Sequence, residues 1–256
     1  MLKTLNSALE VLKMFTREKP KWGGRELANE MQMNHTKIYR ILETLENNNF
    51  LFKDPVTKKY SLGFAVWELG TIMYEDLSVK QLIRPILKEL SRQTGESVFL
   101  TLLDKEEAVT LDVLEPENKV KFSVSVGSRA PLYVGASYRS ILAYLDEETI
   151  ERILTPERLI KYTNDTMTDP DELRTELDNI RQQGWAKSQS EYTEDIIAIA
   201  VPLFGSKGII GSITVSGPIY RMQDEKIKNY LSLLIETRNE VAEVIDKYQL
   251  QLNSSN

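Results

Sequence analysis

The stretch NHTKIYRILETLENN, residues 34–48, constrains this chain more than any other. Ile38, Ile41, Leu42 and Leu45 fall at i, i+3, i+4 and i+7, one apolar stripe on a 3.6-residue helix. The face left over bears His35, Thr36, Lys37, Tyr39 and Arg40, hydrogen-bonding and cationic groups in the first two turns. A helix apolar behind and donor-rich at its N-terminal end suits recognition of base edges, its back packed on its own domain. A solvated amphipathic helix has the same periodicity, so the flanking residues must break the tie.

Upstream, Ala8, Val11, Leu12 and Phe15 lie on one side of a helix expected from Ser7 to Phe15, ended by Lys19-Pro20 and Gly23-Gly24. A short helix follows with Leu27, Ala28 and Met31 inward, and after the turn Gln32 to Asn34 the third helix begins, with Asn34 placed as its N-cap. Two short helices joined so tightly, with small Ala28 at their closest approach, predict a helix-turn-helix. Asn47-Asn48-Asn49 closes the third helix, since asparagine tolerates the left-handed conformation of helix ends. Downstream, Phe50–Phe52 and Tyr60–Leu62 flank a turn containing Asp54-Pro55, which predicts a β-hairpin carrying Lys53, Lys58 and Lys59. A lysine-bearing hairpin directly after a recognition helix is a wing, able to touch backbone phosphates. A capped turn with solvated lysines is the alternative, and three helices and a hairpin in this order weigh against it.

Charge divides the same way. The net charge is −6, yet residues 1–62 hold 11 Lys and Arg against 7 Asp and Glu, a balance of +4, and the remainder balances at −10. A mildly basic front on an acidic body fits a nucleic-acid module with a separate domain, and 256 residues are enough for two cores. The sequence has no cysteine and a single histidine, His35, which excludes disulfides, thiolate chemistry and a histidine-based metal cluster. No metal site and no cofactor are expected. The polar start MLKTLNSALEVLKMF lacks a signal-peptide apolar run, and no stretch reaches the roughly 18 apolar residues of a spanning helix, so a cytoplasmic protein is expected.

Gly63 to Asp76 continues as a helix with Phe64, Trp67 and Tyr74 in an amphipathic pattern, read as a linker into a second helix from Val79 to Thr94, where Pro85 should kink the helix or mark a bend. From Glu96 the period changes to that of strands: SVFLTLLD and AVTLDVLE as hairpin partners, KVKFSVSVG as a third strand, then a helix beginning near Ala136. Asp169-Pro170 starts another helix ending at Gly184, strands are expected at Trp185–Thr193, Ile196–Phe204 and Ile209–Ser216, and Met222 to Tyr248 is a closing helix. The second half is therefore α+β, an antiparallel sheet with helices on it.

In order and spacing, SALEVLKMF, GGRELANEMQMNHTKIYRILETLENNNFL, DPVTKKYSLGFAVWELG, VGSRAPLYVGAS, TDPDELRTELDNIRQQGWA, IAIAVPLF and SITVSGP resemble the IclR family of bacterial transcriptional regulators, from about Ser7 to Tyr248. The resemblance implies a winged helix-turn-helix in residues 1–62, a linker helix in 63–78, and a GAF/PAS-like effector-binding domain in 79–256. It implies dimers, which can pair into tetramers, reading a pseudo-palindromic DNA operator under control of a small-molecule effector. Family effectors are mostly small organic acids or aromatic catabolites. Carried over by position, the effector-binding residues are Ala136 and Ser137 at a helix start, Ser188 on the strand after Gly184, Ala198 before PLF, and Thr214 and Ser216 before the terminal GP.

Independent chemistry supports that set. A helix start presents unpaired N–H groups and a positive dipole end, so it attracts a carboxylate, and Ser212, Thr214 and Ser216 alternate with Ile213 and Val215, so their hydroxyls share one strand face. Such a face can equally be the solvated side of an antiparallel sheet. The chain departs from the family at Tyr138, Arg139, Ser188, Asp195 and Ala198, where glycine, lysine, an acid, glycine and cysteine are frequent. These departures carry the pocket over as a location without a ligand. The competing class, an enzyme acting on a small organic acid through the second half, lacks a nucleophile–base pair, so no catalytic residue is expected.

Overall fold

Three helices and a hairpin build the front of the chain in the computed structural model, which describes residues 2–76, 82–118 and 121–248, with residues 73–76 described for their backbone alone. The chain separates into two units, Met1–Asp76 and Leu77–Asn256. In the first, α1 (Lys3–Lys13), α2 (Gly24–Glu30) and α3 (His35–Asn47) precede β1 (Leu51–Lys53), β2 (Tyr60–Leu62) and α4 (Phe64–Asp76). α1 starts at Lys3, ahead of the expected Ser7, and the Ser7 hydroxyl bonds back to the Lys3 carbonyl at 3.0 Å. The Asn34 side chain accepts from the Thr36 and Lys37 amides at 2.9 and 3.4 Å, fixing where α3 begins. At its end Asn49 is left-handed at φ 59°, and the Phe50 amide reaches back to the Leu45 carbonyl at 2.9 Å.

Ile38, Ile41, Leu42 and Leu45 of α3 enter one core with Val11, Leu27, Ala28, Leu51 and Tyr60. Each Val, Leu or Ile among them contributes about 1.5–3 kcal/mol by leaving water. Trp22 joins the hairpin from outside, exchanging backbone bonds with Tyr60 while its indole N–H donates to the Met14 carbonyl at 2.7 Å. That ties the wing to the end of α1. α4 is helical as expected but not amphipathic against this core: Phe64 is 78% exposed, Trp67 67% and Ile72 64%.

The second unit is a six-stranded antiparallel sheet in the order β5-β4-β3-β8-β7-β6. Its strands are β3 (Ser97–Asp104), β4 (Glu107–Leu114), β5 (Arg129–Pro131), β6 (Ala186–Gln189), β7 (Ile196–Gly205) and β8 (Gly208–Pro218). Its helices are α5 (Arg84–Thr94), α6 (Ala136–Leu142), α7 (Glu147–Ile153), α8 (Pro170–Gln183) and α9 (Asp224–Tyr248). Side-chain alternation sorts the sheet into two cores. Val98, Leu100, Ile199, Val201, Ile213 and Val215 pack with Leu87 and Leu90 of α5 and Leu234, Val241 and Ile245 of α9. On the other face Ala186 and Ala200 pack with residues of α6, α7 and α8.

Two strand expectations fail for identifiable reasons. KVKFSVSVG forms no strand over residues 121–127: the edge of β4 is taken by β5 and by the turn before it, where the Gly127 amide donates to the Thr110 carbonyl at 2.7 Å. Pro85 sits in the first turn of α5, where an N–H has no intrahelical partner anyway, and Leu82 and Ile83 just before it are π-helical, so the helical path changes where the proline stands; residues 79–81 of the expected helix lie outside the described residues. The strand expected through Thr193 stops at Gln189, since Ser190 turns left-handed at φ 55°. α7, which periodicity did not single out, is capped by Asp146, whose carboxylate accepts from the Thr149 amide at 2.9 Å.

Candidate functional site

Because the α3 stripe is buried, the opposite face must point outward. His35, Thr36, Lys37, Tyr39 and Arg40 are all exposed. Local packing orients two of them. The Lys37 ammonium donates to the Ser7 hydroxyl of α1 at 2.9 Å, and the Tyr39 ring lies so close to Gly24 that a Cβ there would meet it at 2.8 Å. The Arg40 guanidinium has no hydrogen bond or ion pair among the described residues.

On the wing, Asp54 accepts from the Val56 and Thr57 amides, both at 2.8 Å, which stiffens the turn and lowers the Asp54 pKa. Lys58 is left-handed at φ 58°, and its side chain and that of Lys59 project into solvent. Lys53 differs: it is half-buried, its ammonium 5.2 Å from the Tyr60 ring centre, and the hydrogen bond to Tyr60 raises its pKa. Sequence reasoning treated the three wing lysines alike, whereas alternation along β1 turns Lys53 toward the hairpin partner.

The second unit holds a cup of about 510 Å³, mouth included, between the sheet and α6. All six residues carried over by position line it: Ala136, Ser137, Ser188, Ala198, Thr214 and Ser216. The hydroxyl face of β8 is not solvated. Ser212, Thr214 and Ser216 are at most 1% exposed, because β8 is central in the sheet and α6 covers it. The Ser137 and Thr214 hydroxyls lie 2.7 Å apart, Ser212 donates to the Ser137 carbonyl at 2.8 Å and Ser216 to the Ile197 carbonyl at 3.0 Å. Gly135 at φ 79° lets the chain turn sharply into α6.

The cup also contains groups that sequence reasoning missed. Thr101 and Thr110 face it from β3 and β4, and Phe99 meets Phe122 edge-on at 5.8 Å, with Phe122 supplied by the segment expected to be a strand. Glu191 and Tyr192 enter on the loop between Ser190 and Asp195, both left-handed, with the Asp195 amide donating to the Ser190 hydroxyl at 3.1 Å. Asp195 occupies a conformation glycine adopts more readily, which accounts for the family's frequent glycine there. Behind Glu191 stands Arg139, 1% exposed, which holds the carboxylate with both terminal nitrogens, one at 2.7 Å, and donates to the Lys187 carbonyl at 3.0 Å. Tyr138 is packed edge-on with Tyr192, and burial pushes its pKa up to about 12, so its hydroxyl stays a neutral donor.

Comparison with known proteins assigns both units. Residues 4–55 match the IclR helix-turn-helix domain and residues 72–243 the bacterial transcriptional regulator IclR C-terminal domain. The HTH-type transcriptional regulator KipR of Bacillus subtilis is 31% identical over 226 residues, covering 88% of this chain and 90% of that protein. Among solved structures, an IclR transcriptional regulator from Alicyclobacillus acidocaldarius superposes with a TM-score of 0.84 at 28% identity, covering 94% of this chain and 98% of that one. An IclR homolog from Microbacterium hydrocarbonoxydans, crystallised with 4-hydroxybenzoate, shares the fold at a TM-score of 0.79 and 21% identity, covering 93% of this chain and 97% of that one. With the matched domains accounting for both units, this chain belongs to the IclR family of DNA-binding transcriptional regulators.

Proposed function

We propose that this protein binds a pseudo-palindromic operator as a homodimer and that a small molecule in the α6 cup controls its affinity. His35, Thr36, Lys37, Tyr39 and Arg40 face the major groove, with Lys37 and Tyr39 held in place by Ser7 and Gly24. Lys58 and Lys59 neutralise phosphates, and Lys53 contributes from the side of the wing. The exposed apolar residues Leu5 and Leu9 of α1 and Phe64 and Trp67 of α4 support a self-complementary contact in the dimer, which can pair further into a tetramer. A regulator of this kind works in the cytoplasm, where its operator is.

One observation supports effector control above the rest: six residues from α6, β6, β7 and β8 converge on a single cup lined with hydroxyls and rings. That lining suits a small organic acid or a one-ring aromatic catabolite. Among the described residues that line the cup none pairs a nucleophile with a base, which supports holding such a molecule rather than turning it over. Ligand changes operator affinity only by favouring one arrangement of the dimer over another. The test is a pair of titrations, a candidate operator against a scrambled duplex, each with and without compounds that raise the melting temperature. Equal affinity for the two duplexes overturns the operator reading, and ligand-independent affinity overturns the control.

A further inference from the structure

We propose that the cup selects an uncharged, hydroxyl-bearing aromatic molecule over the corresponding carboxylate, and that Glu191 sets this selection. The inference rests on the cup being the effector site and narrows its ligand class. Among the described residues that line the cup, Glu191 is the one side chain of formal charge; none is Lys, Arg or His. The nearest buried cation, Arg139, is committed, because both terminal nitrogens hold Glu191 and one also serves the Lys187 carbonyl. Its remaining donor, Nε, is sealed from the cup's solvent and has no partner.

An entering carboxylate would therefore give up its water without gaining a cation, because Arg139 and Glu191 already neutralise each other, and a buried ion left without a counter-charge is costly. α6 does not change that balance: at seven residues it aligns few peptides behind its N-terminal end. A neutral ring meets the opposite situation. Phe99, Phe122, Tyr138 and Tyr192 offer ring edges and faces. Each Glu191 oxygen accepts one bond from Arg139 and has a lone pair left for a ligand hydroxyl.

Matched probes test this on the full chain: 4-hydroxybenzamide against 4-hydroxybenzoate and phenol against benzoate, followed by ligand-observed NMR. Cup occupancy is defined as binding lost in Ala198→Leu, with that variant's fold checked by circular dichroism. The uncharged member of each pair is expected to bind at least about tenfold tighter, the factor that a modest charge mismatch imposes. In Glu191→Gln the Arg139 charge is uncompensated, and 4-hydroxybenzoate should gain about tenfold, a gain that misfolding cannot produce. Acids binding the wild-type cup as tightly as their neutral partners, or no gain in Glu191→Gln, overturns the inference and leaves the effector site standing. Failure of every probe to occupy the cup overturns the effector site and the inference with it.

Discussion

The outer face of α3 and the lining of the cup are both polar, yet their polarity is handled in opposite ways. On α3, Arg40 stands in water with no protein partner among the described residues, so its charge is available to whatever approaches. Behind the cup, Arg139 is sealed and its charge is consumed by Glu191. An exposed cation costs little to keep and attracts at a distance, whereas a buried one must be satisfied internally and is silent outside. The same residue type is thus left to solvent in one unit and spent on the fold in the other.

Breaking the buried pair should have the largest effect. Arg139→Ala leaves Glu191 uncompensated and should destabilise the second unit by about 3–5 kcal/mol, read from its urea midpoint, while Arg139→Met combined with Glu191→Leu recovers most of the loss. Arg40→Ala should move that midpoint by less than about 0.5 kcal/mol. Comparable costs at the two arginines would erase the contrast.

Next in size is the alkaline limb. Tyr138 has a folded-state pKa of about 12, above the ordinary value of about 10 for an unfolded chain. Its contribution is fully present below pH about 10 and lost as pH rises toward 12, about 2–3 kcal/mol in all. Tyr138→Phe should flatten the fall in melting temperature between those values; an unchanged slope would assign the limb to other tyrosines.

Smaller effects sharpen the division within the first unit. Arg40→Ala should weaken operator binding by about 1–3 kcal/mol and lower discrimination against a scrambled duplex, whereas Lys58→Ala weakens both duplexes alike and reduces the salt slope by about 1. Equal loss of discrimination in the two variants would remove the distinction between reading bases and holding phosphates. Smallest is Asn34→Ala, which removes the bonds to the Thr36 and Lys37 amides and should cost about 1 kcal/mol of stability.

Legibility tracked how local the cause was. α3, the hairpin and α8 follow from caps, turn residues and periodicity within a few positions of one another, and they lie within a residue or so of where the sequence put them. The exposure of residues 35–40 follows from the same stripe, seen from the other side. In the cup, position within the family motifs located six lining residues, but Glu191, Thr101, Thr110 and Phe122 announce themselves by no spacing. They come from four segments whose proximity is a property of the sheet order.

By itself, then, the sequence determined where α3, α8 and the first unit's hairpin begin, which face of α3 is apolar, and the family to which the pieces in that order point. These depend on interactions between near neighbours in the chain. Only the tertiary structure decided that the β8 hydroxyls are buried, that residues 121–125 deliver a ring rather than a strand, and that Arg139 spends its charge on Glu191. Those outcomes depend on which edge of β4 is already paired, what α6 covers, and where two left-handed residues turn the chain. Such causes act between residues far apart in sequence, and no local pattern records them.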